Sequence, residues 1–68
     1  QALQHLDQAI RRKPGEDAFL YLRAQVRRQL GDANRARADL ERAAANASDE
    51  APARKYREEL DSLLRERD

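Results

Sequence analysis

Apolar residues recur along the chain at helical spacing, in four stretches parted by three breaks. From Gln1 to about Lys13, Ala2, Leu3, Leu6, Ala9 and Ile10 fall on one face at the i, i+3/i+4, i+7 interval of an amphipathic helix. Pro14-Gly15 ends that stretch, because proline has no N–H to continue the ladder and glycine accepts a left-handed turn. Between about Asp17 and Leu30, the residues Phe19, Leu22, Val26 and Leu30 share a narrow arc, which predicts the core-facing side, flanked by Arg23 and Ala24. Gly31-Asp32 then supplies a helix stop and an N-cap for the next helix. A connection that short makes the third stretch an antiparallel neighbour. Ala33 to about Ala47 aligns Ala33, Ala36, Leu40, Ala43, Ala44 and Ala47, a stripe so small that another backbone must approach closely. Ser48 and Asp49 offer N-caps for the last stretch, about Glu50 to Glu66, and Pro52 is tolerated in its first turn. That stretch carries Ala53, Tyr56, Leu60, Leu63 and Leu64 on one face and charges, Arg67 among them, on the others, as a terminal helix would.

Folding the sequence at an offset of 34 residues pairs Ala2 with Ala36, Leu6 with Leu40 and Ala9 with Ala43. The same offset pairs Leu22 with Tyr56, Val26 with Leu60 and Leu30 with Leu64. Small residues match small and large match large on the faces of alternate helices, so the period predicts a solenoid with two helices per unit.

The stretch from Leu20 to Ser48 resembles a tetratricopeptide repeat, through Leu20/Tyr21, Ala24, Leu30-Gly31-Asp32, Ala36, Leu40 and Ala43 at matching spacings. Ala2, Leu6, Ala9 and Pro14 look like the second helix of a preceding repeat, and the last helix resembles the cap that ends such arrays. Departures stand at Arg23, where leucine is commonest, at Ala33, Ser48 and Glu58. A charge at Glu58 would clash with a following packed helix, in keeping with a cap. The resemblance implies an all-α, right-handed α-solenoid of antiparallel helix pairs with four helices in a single domain over 1–68. Residues 1–14 would be the second helix of a preceding repeat, 16–48 one complete repeat and 49–68 the capping helix.

It also implies a protein–protein interaction scaffold that binds a peptide or partner protein through a concave helical surface, not an enzyme. Helical-wheel counting places Ala18, Tyr21, Gln25, Arg28 and Gln29 on the inward stripe, continued by Lys55, Glu59 and Ser62. Gln25 and Gln29 suit backbone amides, Tyr21 an apolar contact and Arg28 a carboxylate. The family's Lys/Asn/Arg clamp for a C-terminal carboxylate has no match, since Tyr21, Gln25, Pro52 and Tyr56 occupy its positions. An alternative expectation is a structural cap or self-association segment of a larger array. It follows from Leu3, Leu6 and Ile10, some of which would lack a covering helix and favour a homo-oligomer.

Composition narrows the chemistry. Hydrophobic and charged residues are each 40% of 68 positions, and thirteen of the apolar residues are alanine, so a thin core must be closely packed. There is no cysteine, hence no thiolate ligand or nucleophile, and His5 is the lone histidine. Ser48 and Ser62 lack a base, and no glycine-rich phosphate loop is present, so no cofactor, metal or catalytic residue is assigned. No apolar run reaches the length of a membrane span, which predicts no membrane insertion. A start at Gln1 with no methionine anywhere leads us to expect a segment of a longer protein. Net charge is +1, yet residues 11–37 carry eight Lys/Arg against three acids and residues 38–68 six against nine. Most arginines are expected to solvate helix faces. Nucleic-acid binding through Arg23, Arg27, Arg28, Arg35 and Arg37 is disfavoured by the scarcity of aromatics to stack bases.

Overall fold

A computed structural model describes residues 2–66. The expected helical start at Gln1 and the charged Arg67 lie outside the described residues, as do the side chains of Ala2 and Glu66. The chain forms α1 (Ala2–Arg12), α2 (Asp17–Gln29), α3 (Ala33–Asn46) and α4 (Glu50–Glu66), with no strand among the described residues.

The breaks fall where the sequence placed them, but Gly15 does not take the left-handed turn expected of it: among the described residues only Gly31 has a positive φ. Glu16 N–H donates to the Lys13 carbonyl at 3.1 Å across the Pro14-Gly15 turn. After α2 the chain reverses its local twist at Gly31, where φ is +84°, a conformation costly for any residue with a Cβ. There Gly31 N–H donates to the Arg28 carbonyl at 3.1 Å and Asp32 N–H to the Arg27 carbonyl at 2.8 Å, a Schellman closure. Asp32 caps α3, its carboxylate accepting from Arg35 N–H at 3.2 Å.

Helices consecutive in sequence pack together: α1 on α2, α2 on α3 and α3 on α4. The result measures 35 × 29 × 13 Å. Two apolar clusters fill it. One joins Ile10, Leu20, Ala43 and Tyr56, drawn from all four helices, with Phe19, Ala44 and Ala47 against it. The other joins Ala24, Ala36, Leu40 and Leu63, with Leu60 and Ala33 against it. Tyr21 touches both. Leu20, Leu40 and Leu63 are fully buried, each contributing roughly 1.5–3 kcal/mol against solvent exposure. The alanine stripe of α3 buries Ala36 and Ala43, which lets α3 lie close to both α2 and α4.

Two expectations are corrected. The buried side of α2 is Leu20 and Ala24, not the arc through Phe19, Leu22, Val26 and Leu30; Leu22 is 49% and Leu30 66% exposed. The small Ala24 admits the α3 backbone where a leucine would hold it off. On α4, Leu64 is 44% exposed and leaves the core face; on α1, Ile10 is buried while Leu3 and Leu6 are partly exposed.

Most described arginines are exposed, as expected, but two are not spent on solvation. Arg23 and Arg27 do not solvate a helix face; they converge on Asp39 of α3, which is 2% exposed. Arg23 meets both Asp39 oxygens, Nε to Oδ2 at 2.9 Å and a terminal nitrogen to Oδ1 at 2.8 Å. Its other terminal nitrogen reaches Asp7 of α1 at 2.8 Å, and Arg27 donates to Asp39 at 2.9 Å. The hydrogen bond to Asp39, then that to Asp7, outweigh the cost of burial and hold Arg23 protonated well beyond the ordinary guanidinium range.

Asp39→Ala would leave two half-buried guanidiniums without their carboxylate and is expected to cost about 3–5 kcal/mol. Urea unfolding followed by helical circular dichroism measures it. Joint replacement of Arg23, Arg27 and Asp39 by apolar residues of similar volume should be neutral or stabilising. A loss under 1 kcal/mol for Asp39→Ala, roughly that of a surface change, would contradict the network.

Candidate functional site

Five of the six candidate partner-binding residues come together where α2 faces α4, and Glu59 is their centre. Tyr21 OH donates to Glu59 Oε2 at 2.6 Å, and Gln25 Nε2 donates to Oε1 at 2.8 Å. The Arg28 guanidinium lies 3.6 Å from Oε1. Positions 21, 25 and 28 follow the helical interval, so α2 presents three donors in a row to one carboxylate. Lys55, one turn before Glu59, sits with Nζ 4.9 Å from the centroid of the Tyr21 ring, a cation–π contact. The Tyr21 ring in turn lies 5.2 Å from that of Tyr56, inclined by 36°. Gln29 is exposed near the end of α2 and is not drawn into this cluster by any contact described, and Ala18 and Ser62 are exposed.

A second brace was not anticipated from sequence. Tyr56 OH donates to Asp17 Oδ2 at 2.6 Å, tying the first turn of α2 to the middle of α4. Asp17 stands in the first turn of α2, and only the folded placement of α2 and α4 reveals its partner. The two tyrosines thus cross between the helices, each donating a hydrogen bond to a carboxylate of the opposite one.

These contacts suppress tyrosine ionisation. The Tyr21 pKa is pushed up to about 12, first by its hydrogen bond to Glu59, then by burial and the charge of that carboxylate. Tyr56 is also pushed up to about 12, first by burial and then by its bond to Asp17.

Clefts also lie elsewhere. One, about 470 Å³, lies between Glu41 of α3 and α4, where Arg54, Arg57, Glu58 and Asp61 surround Leu60 and Leu64. Arg57 pairs there with Glu50 at 3.0 Å. Another, about 210 Å³, is lined by Ala9, Arg12, Lys13 and Phe19. Among the described residues no group of three His, Cys, Asp or Glu is placed to hold a metal ion, and His5 is exposed. No helix is long and apolar enough to cross a membrane among the described residues. Arg23 and Arg27 are engaged with Asp39, so the arginine run of α2 does not form one exposed basic strip. No family model, no curated protein and no solved structure matches the chain significantly.

Between pH 10 and 12 the unfolded chain ionises its tyrosines while the folded chain keeps them protonated. The tyrosine contribution to stability is therefore complete below pH 10 and lost as pH rises through about 12. Ultraviolet titration of tyrosinate should show both residues ionising near 12, and Glu59→Gln should return Tyr21 alone toward 10. Titration of both at 10 in the unaltered protein would show that the braces do not persist in solution.

Proposed function

We propose that the chain is a protein-interaction scaffold of the tetratricopeptide kind, whose α2 and α4 form part of a concave surface for a peptide or partner protein. On this reading the helices build a right-handed solenoid of antiparallel pairs, and the chain has no catalytic role. The observation that carries it is the convergence of Tyr21, Gln25, Arg28, Lys55 and Glu59 from alternate helices onto one face. In a two-helix solenoid the first helices of successive units stand side by side and line the inner surface. Packing of each helix on the next in sequence, the 13 Å thickness and the match of α1 with α3 and α2 with α4 at offset 34 all support that arrangement. The charged outer side of α4, with Glu58 exposed where a following helix would need a small residue, supports a capping role for this end.

The surface is organised before any ligand arrives. Glu59 holds three α2 donors in fixed rotamers, so a ligand meets a rigid face and loses less ordering entropy on binding. Tyr21 Oη and Gln25 Nε2 are directed at Glu59, which leaves the Gln25 carbonyl oxygen and the exposed Lys55 ammonium to offer outward.

Selection of extended peptides from a display library on the intact chain, followed by titration, tests the assignment. The joint change Gln25→Ala, Arg28→Ala and Lys55→Glu should weaken a selected peptide roughly tenfold or more, with helicity retained. Arg42→Ala, on the exposed side of α3, should leave it unchanged. Equal retention by both variants would remove the α2/α4 face as the binding surface.

A further inference from the structure

Gln25 and Glu59 correspond at the 34-residue offset, as do Tyr21 and Lys55. From matched places on α2 and α4, the side-chain amide of one meets the carboxylate of the other at 2.8 Å. Two amides in those places could bond either way round, since each carries a donor and an acceptor. An amide facing a carboxylate has no such choice. Carboxylate oxygens only accept, so Gln25 must turn Nε2 toward Glu59 and its carbonyl oxygen away.

The carboxylate is itself held still. Tyr21 OH donates to Oε2 at 2.6 Å, and the Arg28 guanidinium stands 3.6 Å from Oε1, the oxygen that also accepts from Gln25. The Tyr21 ring cannot swing aside, because it packs against both apolar clusters and lies under Lys55 Nζ at 4.9 Å. Only 22% of the Glu59 side chain is exposed, so water competes weakly for its oxygens. The Gln25 carbonyl oxygen accepts no hydrogen bond from another described residue, yet it is open to water: the buried side-chain polar atom left without a partner is Arg37 Nε. A free acceptor thus faces outward in a fixed direction. For a ligand carbonyl to bind there, the amide would have to turn over, pointing its own oxygen at Glu59 and forfeiting the charge-assisted bond between them. An extended peptide carries both N–H and C=O groups, and an acceptor that cannot turn decides which of them lies opposite α2.

We propose, resting on the interaction reading above, that Glu59 is a positioning residue that sets what this face accepts. It holds the Gln25 carbonyl oxygen outward, so the chain takes an extended peptide that offers a backbone N–H at that place. It discriminates there against proline, or any other group without the proton.

Two measurements on the intact chain test it. Isotope-edited NMR reads the amide with no ligand present: one Gln25 Nε2 proton should exchange with water more slowly than those of the exposed Gln29, and Glu59→Ala should abolish the difference. A peptide selected by display is then remade as a series in which each backbone N–H in turn becomes an ester oxygen. One replacement should weaken binding to the unaltered chain roughly tenfold or more. The same replacement should change binding to Glu59→Ala or to Gln25→Ala by no more than about twofold. A merely structural loss in Glu59→Ala would weaken every member of the series alike and leave their ratio intact. Arg42→Ala should keep the full ratio. Gln25 protons that exchange as freely as those of Gln29, a series indifferent to every ester, or a ratio that survives Glu59→Ala would overturn the role of Glu59 and leave the scaffold reading standing. Failure to select any peptide while the Gln25 proton stays protected would instead remove the scaffold reading, and the ligand preference with it.

Discussion

A carboxylate buried in an alanine-lined interface can persist only if its partners arrive with it, and Asp39 sets that condition for the whole molecule. Two guanidiniums from α2 meet it, and one of them reaches on to Asp7, so three helices are tied through a single charged centre. Apolar contacts between alanine-rich helices are nearly interchangeable along the axis, because small side chains make shallow ridges. A fixed fork of donors against one carboxylate is not interchangeable. Sliding α3 by one turn along α2 would keep much of the alanine packing but strand Asp39 among methyl groups. We therefore assign the network the task of selecting one register, with the apolar clusters on either side supplying the bulk of the stabilisation.

That division shapes the rest of α2. Because Leu20 and Ala24 turn inward with Arg23 and Arg27 beside them, Tyr21, Gln25 and Arg28 are carried to the side that faces α4, and Leu22, Val26 and Leu30 to the remaining one. A helix that must satisfy an ionic centre, an apolar core and a neighbouring helix has little surface left that is merely solvated. Glu59 and Tyr56 answer from α4 with complementary groups, so the α2/α4 contact is polar at its outer margin and apolar beneath.

Much of this was legible in the chain. Pro14 and Gly31-Asp32 marked the turns because their backbone requirements are local, although Gly15 keeps an ordinary φ, and the alanine stripe of α3 announced close packing. Clustering of Tyr21, Gln25, Arg28, Lys55 and Glu59 followed from wheel counting once α2 and α4 were taken as neighbours. The buried side of α2 was misread because the count favoured bulk: Phe19, Leu22, Val26 and Leu30 outweigh Leu20 and Ala24 on any hydrophobicity scale. Volume, not hydrophobicity, decides the face when the opposing helix is lined with methyl groups. A signal for the ionic centre did exist: Asp39 is the one acid set among Ala36, Leu40 and Ala43, and Arg23 and Arg27 stand one turn apart on the helix before it. Its meaning depended on knowing that the two helices pack there, which a charge count cannot supply. The Tyr56–Asp17 bond, spanning 39 positions, left no local trace at all.

Tyr21 belongs to both apolar clusters, donates to Glu59, stacks near Tyr56 and lies under the Lys55 ammonium. On the proposed interaction reading, one ring is thus at once keystone and shopfront. Changing it to alter recognition would also loosen what holds the molecule up, so mutational drift there would be constrained from two directions. Diversification of ligand preference would then be left to Gln25, Arg28 and Lys55, whose side chains can vary while the keystone stays in place.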